Sequence, residues 1–194
     1  MIVLAAIGFM TMPYDQDLLA RLHFLHGDQD EAARQISRMF SIGGDYPQYN
    51  VTLALVIWIY GVRKRSRAWR RIAVICFLGA TLAGLFSDCF RMTMGRPRPD
   101  ANLPDHFYGI TNVMHGTFQS FPSGHAATAF GTAAALLVVD FPLGLATTVF
   151  ALAVVWARLE LYRHYPSDVV VGAGIGLYFG LMVGFGASVR RTRK

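Results

Sequence analysis

The chain alternates between long apolar runs and short polar bridges. Stretches without charge cover Met1–Tyr14, Val51–Val62, Ile72–Ser87, Ala126–Val139, Phe141–Ala157 and Val169–Val189. A membrane-crossing helix needs about 20 apolar residues, within a range of about 17–25, and only the last run reaches that length by itself. The others reach it with polar or charged flanks, by tilting, or by local thinning of the bilayer. The pattern predicts six transmembrane helices in a bundle: an all-α integral membrane protein, with residues 1–194 as a single membrane-embedded domain. Between the first two spans the pattern changes. Apolar residues at 18, 19, 22 and 25, and again at 32, 36, 39 and 40, recur near helical spacing. They predict two short amphipathic helices, Asp15–Leu25 and Asp30–Phe40, lying in the interface plane. Ser41-Ile-Gly-Gly-Asp45-Tyr-Pro47 reads as a turn, with Pro47 opening the second span.

Composition agrees. The 194 residues are 54% hydrophobic and 15% charged, with a mean hydropathy of +0.37. That is too apolar and too charge-poor for an ordinary soluble domain, which leaves a soluble all-α protein as the weaker alternative. The net charge of +6 would suit a nucleic-acid partner, but the placement of the basic residues gives it another meaning. Arg63, Lys64, Arg65, Arg67, Arg70 and Arg71 lie together, and Arg190, Arg191, Arg193 and Lys194 close the sequence. Lys and Arg near span ends mark the cytoplasmic side. With six spans both clusters fall on that side, together with both termini and the short link at Asp140-Phe-Pro142. No nucleic-acid partner is expected.

Cys76 and Cys89 fall on one predicted helix and cannot bridge within it. No Cys/His spacing suggests zinc, and His23 and His26 lack the partners a metal would need, so they read as surface residues. The N-terminal run has the length of a signal-peptide core but no basic region before it, and reads as a short first span.

The remaining charge collects on the opposite face. Arg91-Met-Thr-Met-Gly-Arg96-Pro-Arg98-Pro99 holds three arginines, stiffened by two prolines. The guanidinium fork fits phosphate oxygens. A headgroup anchor is the ordinary reading, but positive charge of that kind belongs on the other side of the membrane. Asp88, at the outer end of the third span, is an ionisable group at the membrane edge, and Arg91 is its expected partner. The outer loop Asp100–Phe121, with His106, Tyr108, His115 and Gln119, is the natural place for substrate selectivity, although ordinary loop residues would look the same.

Pro122-Ser123-Gly124-His125 opens the fourth span. Ser123 is a good N-cap, Gly124 allows close backbone approach, and free N–H groups at a helix start make an anion site. His125 stands at that site. A lone histidine there is more often structural; beside arginines and a second histidine on the same face it becomes a candidate proton donor.

That second histidine lies in Arg158-Leu-Glu-Leu-Tyr-Arg-His164-Tyr-Pro-Ser-Asp168. Pro166 biases Tyr165 away from the α region and suits a first helical turn. A helix is expected to start near Pro166, with His164 just before it and Asp168 able to reach back to one ring nitrogen. Taken alone, the stretch could equally be a surface arginine and a structural His–Asp pair.

Together the three stretches resemble the type 2 phosphatidic acid phosphatase (PAP2) superfamily, membrane lipid phosphatases that share a site with vanadium haloperoxidases. The family's first motif is Lys, six residues, Arg-Pro; here it reads Arg91, six residues, Arg98-Pro99. The second, Pro-Ser-Gly-His, is complete at Pro122–His125. The third is Ser-Arg, five residues, His, three residues, Asp; here it reads Ala157-Arg158, five residues, His164, three residues, Asp168. Two departures stand out. Arg91 replaces Lys, keeping the charge but not the shape, and Ala157 replaces Ser, removing a hydroxyl.

The resemblance implies a lipid phosphatase acting on a phosphomonoester or diphosphate through a phosphohistidine. His164 would attack phosphorus, Asp168 would hold its tautomer, and His125 would protonate the leaving alkoxide. Arg91, Arg98, Ser123, Gly124 and Arg158 would bind the phosphate, with neither metal nor cofactor. The expected location is the inner membrane with the site on its outer, periplasmic face, where the bilayer and its lipid phosphates are the partners. Undecaprenyl diphosphate, phosphatidylglycerophosphate, phosphatidate and lipid A phosphates are the candidate substrates, with undecaprenyl diphosphate favoured for so small a chain. The alternatives are a phosphotransferase moving phosphate between lipids and an inactive lipid-binding relative.

Overall fold

The computed structural model describes residues 2–24, 31–45, 47–112 and 114–192. His26, Arg193 and Lys194 lie outside these residues, as do the side chains of His23, Arg190 and Arg191. The described residues are helical, without strands. The α-helices are α1 (Ile2–Thr11), α2 (Asp15–Phe24), α3 (Glu31–Gly43), α4 (Thr52–Arg63), α5 (Arg67–Met94), α6 (Gly124–Val139), α7 (Phe141–Glu160) and α8 (Pro166–Thr192). The two short amphipathic helices predicted between the first two spans are α2 and α3. The helices running through α5, α7 and α8 are long and apolar enough to cross a membrane, and α6 is a shorter apolar helix. At 10 and 12 residues, α1 and α4 fall short by themselves. A wider turn, Pro47–Val51, leads directly into α4.

Local chemistry sets the ends of α5, which extends past the charge-free run Ile72–Ser87 in both directions. Ser66 caps its start by accepting from the Trp69 N–H at 3.4 Å. Gly95 ends it in the left-handed region, at φ 62°. A Cβ at Gly95 would collide with the Gly109 carbonyl, so the close approach of the loop also demands glycine. Asp140 is shared between α6 and α7: it ends the first and caps the second through Leu143 N–H at 3.1 Å.

α6 is the central helix, packed by α5, α7 and α8. Its buried positions are mostly alanine, glycine and threonine, which lets backbones approach closely. Gly172, Gly176 and Gly180 of α8 lie so near α6 that a Cβ would strike the carbonyls of Ser123, Ala127 and Gly131. Spacing small residues every four positions is a common way to join helices in lipid. Large apolar side chains point outward instead: Leu85, Val149 and Phe185 are 60%, 62% and 59% exposed, as expected where lipid covers the surface.

α5 separates two kinds of basic cluster. Arg67, Arg70 and Arg71 sit in its first turns and Arg91 in its last, so about 30 Å or more of helix lies between them at 1.5 Å per residue. All three motif stretches gather at the Arg91 end.

Candidate active site

His164 lies between α7 and α8 and is 1% exposed. Its Nδ1 is 2.8 Å from the carbonyl oxygen of Ser120. A carbonyl only accepts, so Nδ1 carries the hydrogen and Nε2 holds the free lone pair. Asp168 does not make that bond. Its Oδ2 is 3.7 Å from Nδ1, within ion-pair range but beyond hydrogen-bond reach. The helix start at Pro166 is as expected, yet the carboxylate turns to other donors. Oδ2 accepts from the Ser120 hydroxyl at 2.5 Å and the Tyr165 N–H at 2.8 Å, and Oδ1 accepts from Arg96 at 2.6 Å. Burial pushes the His164 pKa down to about 4; Arg158 and Arg98 push the same way, and Asp168 opposes them.

Arg96 is the residue that sequence reasoning passed over. It is 2% exposed and binds three carboxylates. Its fork meets Asp105 twice, at 2.7 Å each, and reaches Asp15 at 2.8 Å and the Ser167 hydroxyl at 2.8 Å. Its guanidinium carbon also lies 4.3 Å from the centre of the Tyr165 ring. Asp15, fully buried at the start of α2, accepts from the Ser167 N–H at 2.9 Å and from its hydroxyl. The short helix α2 is thereby tied to the loop that carries His164. The signal available in the sequence was an arginine beside proline with Asp105 nine residues on.

Arg98, Arg158 and Arg91 each keep a buried Nε without a partner among the described residues. Arg158 donates to the Ser41 hydroxyl at 2.6 Å, and Arg91 to Asp88 at 2.6 Å, the pairing expected from the sequence. Arg91 also lies against the start of α6: a Cβ at Gly124 would stand 3.2 Å from its NH1. Ser123 caps α6 by accepting from the Ala126 N–H at 3.5 Å, and its own proton remains available. Arg158, Arg91 and Arg98 all exert their charge on the His125 ring. Nε2 of His125 is 2.8 Å from Asp45, a second residue outside the motifs.

A cavity of about 270 Å³ is lined by Asp45, Thr81, Gly84, Leu85, Asp88, Arg91, Gly124, His125 and Thr128. Its polar end carries the motif residues of α5 and α6, and its other end runs down between those helices. His164, Arg98 and Arg158 are not among its lining residues. His106 and Tyr108 of the outer loop stack on each other at 3.9 Å and do not line the cavity. Chemically, the arrangement offers a neutral imidazole with an available lone pair, a second imidazole paired to a carboxylate, three arginines and a capped helix start.

Comparison with known proteins agrees with this geometry. The PAP2 superfamily model matches residues 72–186. The chain belongs to the PAP2 superfamily. It is 32% identical over 138 residues to lipid A 1-phosphatase of Rhizobium johnstonii, a match covering 63% of this chain and 53% of that one; the chain thus spans about half the length of this relative. It is 32% identical over 133 residues to decaprenylphosphoryl-5-phosphoribose phosphatase of Mycobacterium tuberculosis, covering 68% of each. The crystal structure of Aquifex aeolicus LpxE has the same fold, with a TM-score of 0.56 and 22% identity over 85% of this chain and 93% of that one. With long apolar helices and outward-facing apolar side chains, the chain is a membrane protein.

Proposed function

We propose that this protein is a phosphatase of a lipid phosphomonoester or diphosphate, working through a phosphohistidine on His164. The observation that carries the reading is the bond from Nδ1 of His164 to the Ser120 carbonyl, which leaves Nε2 as the nucleophile under the charges of Arg158 and Arg98. Nε2 attacks phosphorus as the bond to the lipid oxygen breaks, and His125 gives that oxygen its proton. Arg91, Arg98, Arg158, the Ser123 hydroxyl and the Gly124 N–H stabilise charge on the phosphoryl oxygens. Water then attacks phosphorus with His125 as base, and the P–N bond breaks. Asp168 fixes the loop that carries His164 by binding Ser120, Tyr165 and Arg96. With three guanidinium groups and a helix start facing the phosphate, the reaction runs without a metal.

The six apolar helices cross the inner membrane as one unit, both termini are cytoplasmic, and the site opens to the outer face. The basic cluster at the start of α5 and the motif residues at the opposite end support that orientation. The two named relatives act on lipid A and on decaprenylphosphoryl-5-phosphoribose. Among lipid phosphates we favour undecaprenyl diphosphate. The test is a phosphate-release panel in detergent over undecaprenyl diphosphate, phosphatidylglycerophosphate, phosphatidate and lipid A, with and without EDTA and orthovanadate. Release that resists EDTA and is blocked by vanadate is expected. No release from any lipid, or loss on EDTA restored by a divalent ion, would contradict the reading.

A further inference from the structure

Asp45 stands 2.8 Å from Nε2 of His125, although the family's motifs begin only at Arg91. Its position is built rather than incidental. Gly44 packs so tightly on α7 that a Cβ would crowd both methyls of Val154. The Gly44 N–H donates to Phe40 at 2.8 Å, the Asp45 N–H to Ile42 at 3.2 Å, and the Asp45 carbonyl accepts from Tyr49 at 2.9 Å. One turn earlier, Ser41 holds Arg158. The end of α3 therefore touches two motif residues. Asp45 is half exposed and lines the same cavity as His125.

The two histidines are held in opposite senses. His164 gives Nδ1 to a carbonyl and keeps Nε2 free. Nε2 of His125 instead lies 2.8 Å from an Asp45 carboxylate oxygen, and no bond to its Nδ1 is found among the described residues. We propose that Asp45 is the positioning residue of the proton donor: it holds the Nε2–H of His125, stabilises the imidazolium, and directs proton delivery through Nδ1. A carboxylate beside an imidazole favours the charged ring and fixes its orientation, which a donor surrounded by arginines otherwise lacks. In the first step the Nδ1 proton passes to the lipid oxygen as the P–O bond breaks and the P–N bond to His164 forms. The ring is then neutral, with Nε2–H still on Asp45. In the second step Nδ1 takes a proton from the attacking water as the P–N bond breaks, and the imidazolium is restored.

This inference rests on the reading of His125 as general acid, and the experiment separates the two. Asp45→Asn, His125→Ala and the double variant are assayed on the lipid phosphate turned over best and on para-nitrophenyl phosphate, whose leaving group needs little protonation. Asp45→Asn should lower lipid turnover by about 10–10²-fold, part of the range for acid catalysis, and lower the aryl phosphate clearly less, because there only the hydrolysis step still needs His125. In the His125→Ala background it should add almost nothing, because residues acting as a unit are not additive. Inhibition by vanadate should be unchanged, which reports an intact fold and phosphate site. If His125→Ala discriminates between the substrates but Asp45→Asn reduces both equally, the role of Asp45 is overturned and that of His125 stands. If His125→Ala itself fails to discriminate, both fall. Faster turnover in Asp45→Asn would show a carboxylate competing with the phosphate, and would also overturn the proposal.

Discussion

Arg96 and Asp168 meet at 2.6 Å in a site where both side chains are almost wholly removed from solvent. The same guanidinium holds Asp15 and Asp105, so one cation joins α2, the loop that follows α5 and the first turn of α8. Breaking a buried pair from one side costs about 3–5 kcal/mol, because the abandoned charge has no water to turn to. Arg96→Ala should therefore lower the unfolding stability in detergent by about that amount and abolish activity with it. Arg96→Lys should recover little, since a single ammonium cannot replace a fork serving three carboxylates. A loss below about 1 kcal/mol for the alanine variant, the scale of an exposed pair, would contradict this account of the cluster.

His164 should be neutral in the folded protein well below the pH at which histidine ordinarily titrates. Burial holds its pKa at about 4, against an ordinary value of about 6.5. The unfolded chain thus takes up a proton as pH falls through about 6.5 while the folded chain does not. The stability from this depressed pKa is present above about 6.5 and is lost progressively as the pH falls towards 4. Nitrogen NMR of histidine-labelled protein, assigned with His164→Ala, should show a neutral ring protonated on Nδ1 at pH 6. A resonance titrating near 6.5, or a ring protonated on Nε2, would remove the basis for Nε2 as nucleophile.

Arg91 stands where the family has lysine. It already pairs with Asp88 and lies over Gly124, so a point charge at the same place should serve. Arg91→Lys should keep substantial lipid phosphatase activity, whereas Arg91→Ala should lose at least about 10²-fold, the scale for removing one oxyanion donor. An alanine variant near wild type would mean that Arg91 only anchors α5 through Asp88.

Much of this architecture was legible in the sequence because it is local. Periodicity marked α2 and α3, Pro166 marked the start of α8, and Asp88 found Arg91 within one helical turn. Three motifs of fixed spacing named the two histidines and their arginines. What stayed hidden depends on contacts between distant parts of the chain. Asp15 bonds Ser167 across 152 positions, and Asp45, set in an unremarkable turn, lies beside His125 across the whole of α4 and α5. Arg96, one of three arginines in its stretch, looked interchangeable with the others until burial separated it from them. Asp168 was expected on the ring of His164 from spacing alone, but Ser120, from a loop with no regular pattern, takes the ring nitrogen through its carbonyl and the carboxylate through its hydroxyl.

The central claim is a covalent bond between phosphorus and Nε2 of His164, and trapping it is the most direct test. The protein is mixed with the labelled lipid phosphate it turns over best, quenched in alkali within a turnover, and digested for mass spectrometry. A phosphoramidate survives alkali and is lost in mild acid, unlike a serine ester. The account predicts acid-labile label on the peptide carrying His164, none in His164→Ala, and no label when vanadate is present before the substrate is added. Label that resists acid, that persists in His164→Ala, or that maps to another residue would contradict it.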